Sequence, residues 1–306
     1  MSFDTNYEPT SGFEREAPSP VVLNGFELRD LQIQPRGMIL SPWLPEKGLA
    51  MISAQRGVGK TWVALNIACA AVMGSEFLGW KANKPVKVLY LDGEMPAGTL
   101  KERFRKIIEP YGQSFRGDGF RIIAADQQSQ GMPSLSTESG QAFIEFEACA
   151  ADLIIVDNIA TLCSTGKEND TDKWHPVQTW ALKQRSRNRS VLFIHHMGKG
   201  NDQRGTSARE DVLDTSIKLL RPLNYDASQG ARFEVHYSKA RGFFGADAEP
   251  FEARYDGSEW TTGPIQSDND HEAIRTFARE GHSIRDIAQR TGISKSAVGR
   301  ILKDDC

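Results

Sequence analysis

The chain has 306 residues, 39% of them hydrophobic and 25% charged, enough for one large domain and a small one. A formal net charge of −3 announces no nucleic-acid partner for the chain as a whole, so any basic surface must be local. Cys69, Cys149, Cys163 and Cys306 form no Cys-x-x-Cys pair, which argues against zinc or dithiol chemistry. Scattered cysteines, a polar N-terminus unlike a signal peptide and the lack of a bilayer-length apolar run give a cytoplasmic, membrane-free expectation.

Residues 1–20 contain Asp4, Glu8, Glu14 and Glu16 among Pro, Ser and Gly, have little to bury, and read as a disordered arm. Residues 21–45 are mixed. Trp43 can pack on the core or on a bound base, and core packing is preferred. The apolar run 48–52 reads as a buried strand and 62–72 as a helix. Between them lies Ala54-Gln55-Arg56-Gly57-Val58-Gly59-Lys60-Thr61, followed by Trp62. A glycine-bearing loop ending in Gly-Lys-Thr between strand and helix is a phosphate-binding P-loop. Gly57 and Gly59 let successive backbone N–H groups converge on one anion, and the helix N-terminus adds partial positive charge. Lys60 reaches the outer phosphates and the Thr61 hydroxyl suits Mg²⁺. Ala54 stands where glycine is usual in this motif.

The next buried strand, 88–91, runs into Asp92-Gly93-Glu94. Glu94, expected to end the strand next to the P-loop strand, is either a general base or a solvated acid, and the preceding P-loop favours the base. An amphipathic helix over 96–111 buries Leu100, Phe104, Ile107 and Ile108. A short strand at 120–123, a loop at 126–136 and a helix at 137–149 follow. Leu153-Ile154-Ile155-Val156-Asp157 is the clearest strand, and an apolar run ending in Asp downstream of a P-loop is the Walker B pattern. Asp157 is expected to hold Mg²⁺ with Thr61, from a strand end beside the P-loop. Residues 163–176 read as a polar loop and 177–187 as a helix. Strand 190–196 ends in His195-His196. Neighbours on a strand face opposite ways, so one histidine faces the nucleotide and the other packs elsewhere. A charged, glycine-rich loop covers 198–210, a strand covers 233–237, and a hairpin closes at Trp260. Alternating strands and helices argue for a three-layer, mainly parallel α/β domain over 21–261.

These motifs, with Phe193 to His196 before Gly198-Lys199-Gly200, with Arg204-Gly205-Thr206-Ser207 and with Ser238-Lys239-Ala240-Arg241, resemble RecA/DnaB-like ATPases. The nearest resemblance is to RepA-type plasmid replicative helicases. The resemblance covers about 39–260 and implies a RecA-like P-loop NTPase core, ATP at the subunit interfaces and a ring, commonly a homo-hexamer, with single-stranded DNA in its channel. It implies that residues 54–62 bind nucleotide, that Glu94 is the catalytic glutamate, and that His196 occupies the place of a γ-phosphate-sensing Gln. It gives Lys239 and Arg241 a neighbour's γ-phosphate to contact. The loops 164–173 and 198–210 fall where the family lines its channel. Lys199, Arg204 and Arg209 meet DNA phosphates there, or the loop is simply solvated.

Residues 262–270 (TGPIQSDND) read as a linker. Beyond it, 271–306 reads as three short helices: 271–280, then 283–291 capped by Ser283, then 295–303 capped by Ser294, with Gly292 in the turn. The stretch 293–302 is similar to the helix-turn-helix of resolvase-type recombinases. Seven Lys/Arg against three acids between His271 and Lys303 give a local excess of +4. Lys295, Ser296, Arg300 and Lys303 are expected to face duplex DNA, the alternative being a protein-docking module. Together these features give an ATP-driven, ring-forming DNA motor, with an ATP-switched DNA-bound regulator as the rival.

Overall fold

The computed structural model describes residues 20–163, 171–197, 207–222, 225–265, 267–291, 293 and 295–303. The expected arm over 1–19, the loop residues 164–170 and 198–206 with Lys199 and Arg204, and the turn residues Gly292 and Ser294 lie outside these.

The contacts divide the chain after Pro35. Within the first unit, α1 (Gly25–Asp30) is held by a capping box: Asn24 Oδ1 accepts from the Phe26 and Glu27 amides, and Glu27 Oε2 accepts from the Asn24 amide. None of its residues is buried. Residues 21–35, expected as part of the large domain, therefore belong to a separate unit.

The second unit opens with a hairpin, β1 (Met38–Leu40) and β2 (Leu44–Pro45), before β3 (Leu49–Ala54) and α2 (Lys60–Met73). A small hairpin, β4 (Glu76–Phe77) with β5 (Trp80–Lys81), precedes β6 (Val88–Asp92), α3 (Ala97–Ile108) and β7 (Phe120–Ala124). Next come α4 (Glu138–Ala148), β8 (Leu153–Asp157), α5 (Ile159–Leu162), α6 (Thr171–Ser186) and β9 (Ser190–His196). After α7 (Ser207–Glu210), the strands β10 (Thr215–Leu220), β11 (Arg232–Ala240), β12 (Phe251–Tyr255) and β13 (Trp260–Pro264) complete the sheet. Its order is β13-β12-β11-β10-β3-β9-β8-β6-β7, with β10 through β7 parallel and the other three strands antiparallel.

The central strands are continuous apolar runs because both faces are covered. Period-two alternation divides them between two cores. Ala50, Ile52, Val88, Tyr90, Leu153, Ile155, Leu192 and Ile194 join α2 and α3 on one face. Leu49, Met51, Leu89, Leu91, Ile154, Val156, Val191 and Phe193 join α4 and α6 on the other. This is the three-layer RecA-like P-loop core. Trp43 is buried in the first layer against Trp80, ring centroids 5.1 Å apart, so the core reading of Trp43 holds.

Several element limits differ from expectation. Helix α6 begins at Thr171 and runs through Pro176, where a loop was expected up to residue 176. Trp174, Val177, Trp180 and Ala181 recur at helical spacing and are buried beside Phe193. Burying one Trp, at ~150–250 Å² and ~25 cal/mol/Å², gives roughly 4–6 kcal/mol, which exceeds the ~3 kcal/mol cost of a mid-helix proline. Strand β11 continues to Ala240 rather than ending at 237, because β10 pairs with it to the end: Ser216 opposite Lys239 and Thr215 opposite Ala240. Strand β13 reaches Pro264, a tolerated edge position opposite Phe251, and helix α8 (Ser267–Arg279) starts inside the expected linker.

Helices α8, α9 (Ile284–Thr291) and α10 (Lys295–Lys303) have a core of their own in Ile274, Ile287, Ile293, Val298 and Ile301. Ser283 caps α9 as expected: its Oγ accepts from the Asp286 amide at 3.2 Å. No helix among the described residues is long and apolar enough to cross a membrane.

Candidate functional site

Strand β3 delivers the chain into the P-loop, where Gly57 (φ 78°) and Gly59 (φ 111°) adopt left-handed conformations that suit glycine. Gly59 then caps α2, leaving the first N–H groups of the helix directed at the loop. A cleft of about 520 Å³ opens there, lined by residues 56–62 with Glu94, Met95, Arg103, Asp157, His196 and Ala231 among others. Ala54 and Gln55 are absent from its walls, although Gln55 contributes its carbonyl oxygen, which accepts from Lys60 Nζ at 3.2 Å. Trp62 lines the cleft, stacked on Tyr255 at 5.8 Å with the Arg103 guanidinium 5.7 Å from its ring centroid.

Lys60 is only 5% exposed. Burial pulls its pKa down, and Asp157 and Glu94 oppose that shift. Asp157 is 3% exposed and accepts a 2.6 Å hydrogen bond from the Tyr90 hydroxyl. Burial raises its pKa against hydrogen bonds from Tyr90 and Thr61 and the charge of Lys60. A buried carboxylate that its neighbours do not fully compensate, beside a hydroxyl, is a hard oxygen donor set. Thr61 and Asp157 therefore fit Mg²⁺.

The strand order corrects one expectation. Neither Asp157 nor Glu94 ends a strand beside the P-loop strand. Strand β9 lies between β3 and β8, and β6 is one strand further out. The immediate neighbour is His196, in register with Ala54. At ~4.8 Å per strand, Asp157 lies two spacings from β3 and Glu94 three. Glu94 nonetheless reaches the cleft, because the turn after β6 is pinned. The Gly93 amide donates to the Asp157 carbonyl at 2.7 Å, and the Met95 amide donates to Asp92 Oδ2 at 3.1 Å. A Cβ at Gly93 would come within 2.3 Å of Thr161 Oγ1, so the turn packs too closely for any side chain there.

Glu94 Oε2 lies 2.9 Å from His196 Nε2 and accepts from Asn158 Nδ2 at 2.5 Å. The His196 hydrogen bond, opposed by partial burial, holds the Glu94 carboxyl below its usual range. His195 faces the other way, as alternation requires. It is buried, its Nε2 lies 3.3 Å from Arg209 Nη1, and burial lowers its pKa to about 3. Asn158 and Asp92 had no role in the sequence reading. An Asn after a strand looks like any turn residue, and Asp92 looked like part of the strand end.

Lys239 and Arg241 are not at this cleft. Pairing of Thr215 with both Ala50 and Ala240 puts the end of β11 at the start of β3, at the end of the strands opposite the P-loop. Lys239 Nζ donates to the Glu210 and Asp211 carbonyls, and the Arg241 amide donates to the Asp214 carbonyl, while the Arg241 residue is exposed.

On α10, Lys295, Arg300 and Lys303 are exposed, while Val298 and Ile301 are buried. At ~100° per residue, the three cations share an arc of about 140°, opposite the buried positions; the Ser296 side chain lies outside the described residues.

A family profile described as AAA domain matches residues 14–202. The fold is similar to that of a KaiC-like protein from the hyperthermophilic archaeon Pyrococcus horikoshii OT3, with 14% identity and a TM-score of 0.52, covering 74% of this chain and 94% of that one. A second solved structure, the flagellar accessory protein FlaH from Methanocaldococcus jannaschii, has 12% identity and a TM-score of 0.49, covering 71% of this chain and 90% of that one. No curated protein matches the sequence.

Proposed function

Because the chain belongs to the AAA-domain family, we propose that it is an ATP-hydrolysing, ring-forming DNA motor of the replicative-helicase type. The observation that carries the reading is the grouping of Lys60, Thr61, Asp157, Glu94 and His196 around one cleft, in a chain that also carries a basic three-helix module. ATP places its phosphates on the P-loop amides, with Lys60 against the outer phosphates. Thr61 and Asp157 would hold Mg²⁺, which neutralises phosphate charge when bound. Glu94, kept ionised, orients a water for attack on the γ-phosphate and takes its proton. His196 stands beside Glu94 and meets the same phosphate. Lys239 and Arg241 stabilise developing charge in the neighbouring subunit of a hexamer, a contribution that reaches about 10³–10⁵ in rate where arginine fingers act. Single-stranded DNA occupies the ring channel, with Lys199 and Arg204 on its phosphates. Duplex DNA binds the C-terminal module through Lys295, Ser296, Arg300 and Lys303.

Mixing two inactive variants tests the shared site. Lys60→Ala lacks a phosphate site but keeps Arg241, and Arg241→Ala lacks Arg241 but keeps the site. Mixtures regain part of the ATPase activity if the site is shared; a mixture as inactive as its components refutes it. The rival reading, an ATP-switched DNA-bound regulator, is favoured by the separate core of the three-helix module, which can hold duplex DNA without strand separation. ATP-dependent strand displacement on a forked substrate decides between them.

A further inference from the structure

Asn158 is 1% exposed, yet its side-chain amide is fully engaged. From below, Oδ1 accepts from the Thr161 amide at 3.3 Å and caps α5. Its carbonyl accepts from Thr161 Oγ1 at 3.1 Å and from the Leu162 amide at 3.0 Å. From above, Nδ2 reaches Glu94 Oε2 at 2.5 Å and His196 Nε2 at 3.0 Å. The residue thus stands on the first turn of α5 and touches both groups at the mouth of the cleft.

We propose that Asn158 is the positioning residue that sets Glu94 and His196 as one unit facing the terminal phosphate. The proposal rests on the reading of Glu94 as the water-orienting group. The Glu94 side chain is 53% exposed, and a glutamate in that position has many rotamers to lose when ordered. Here the cost is met before substrate arrives. Asn158 and His196 both approach Oε2, and among the described residues nothing hydrogen-bonds Oε1, which is left for water.

The His196 contacts divide by tautomer. With its proton on Nε2 the ring donates to Glu94. With its proton on Nδ1 it accepts from Asn158 instead, leaving a buried Nδ1–H without a partner among the described residues. Buried N–H groups without partners are rarer than buried acceptors without them, so the Nε2–H form is favoured. In that form Asn158 gives its hydrogen bond to Glu94 alone, and both donors converge on one carboxylate oxygen.

The capping and positioning roles separate by substitution. Asn158→Asp and Asn158→Ser keep an oxygen able to cap α5, as both residue types cap well, but neither has the amide donor. Asn158→Ser is expected to unfold close to the wild-type temperature and Asn158→Asp below it, because the latter sets a buried carboxylate against that of Glu94; once folded, both should bind a non-hydrolysable ATP analogue within about threefold of wild type. Their kcat should fall ~10–100-fold, within the range of lost general-base positioning. In a double-mutant cycle, adding Asn158→Ser to Glu94→Gln should cost almost nothing further. Wild-type kcat in both variants overturns the proposal. So does a loss of analogue affinity equal to the loss of turnover, which marks a structural role, and so does full additivity with Glu94→Gln. A wild-type chain that binds ATP without hydrolysing it refutes the motor reading itself, a result recorded before any variant is made.

Discussion

Two aspartates sit at opposite ends of the sheet, both almost inaccessible to water, Asp92 at 0% and Asp214 at 2% exposure. Burial raises the pKa of both, but the balance differs. Around Asp214, hydrogen bonds from Arg36 and the Leu49 amide and the charges of Arg185 and Arg36 outweigh burial and hold the carboxyl below its usual range. Asp92, beyond its burial, faces the charge of Asp157, and its backbone hydrogen bonds only partly offset this, so it is pushed up to about 7. Among the described residues its Oδ1 has no partner, nor has the Nδ1 of His195 or His196. The Asp214 carboxylate is compensated by two guanidinium groups and serves the fold, although Arg185 Nε and Gln184 Nε2 at that end also lack partners among the described residues. The Asp92 end holds uncompensated polarity in place, which is the arrangement a site waiting for a charged ligand needs.

Substitutions at the two ends should separate cleanly. The largest effect is expected from Lys60→Ala, which should reduce phosphate release to background in a chain that still folds. Glu94→Gln should bind nucleotide normally and turn over about 10²-fold more slowly. Unchanged turnover would reduce Glu94 to a surface acid. At the Asp214 end, Asp214→Ala should cost roughly 3 kcal/mol of stability, as expected when one member of a buried charged network is lost. Nucleotide affinity, measured on the folded variant, should not change. A fall in affinity would mean that the two ends are coupled through β3.

The pH dependence is a smaller effect with a defined sign. The folded pKa of Asp92, about 7, lies above its ordinary 3.8, so its neutral form belongs to the folded state. Its favourable contribution is complete below about pH 4, shrinks as pH rises, and is gone above about pH 7. The thermal midpoint of Asp92→Asn minus that of wild type should therefore grow by a few degrees between pH 4 and 7 and then level off. A flat difference would place Asp92 in the ordinary range. The smallest effect is expected from Arg300→Ala in the full chain. Duplex binding should weaken severalfold and the salt dependence become shallower, with ATPase activity unchanged.

The central strands were legible because buried parallel strands appear as unbroken apolar runs, and the P-loop because its glycines, lysine and threonine are contiguous. The lateral order of strands was not. Nothing in the runs ending at Asp92 or Asp157 says that β9 enters between them and β3, so sequence brought Glu94 and Asp157 too close to the loop. Asn158 was illegible for a related reason, since its partners lie 64 and 38 positions away. Pro176 misled in the opposite direction. Local chemistry argued for a break that Trp174 and Trp180 override by burial.

Because β11 runs antiparallel to β3, the chain carries its phosphate loop at one end of the strands and Arg241 at the other. If Arg241 completes a neighbour's site, the contact joins two different surfaces, head to tail, and has no built-in stopping point. An open row of subunits then always has one cleft and one Arg241 left over, whatever its length. Only a rotation that closes on itself uses every copy. Activity per subunit therefore measures how much of the population sits at a free end, and a blocked head or tail acts as a chain terminator.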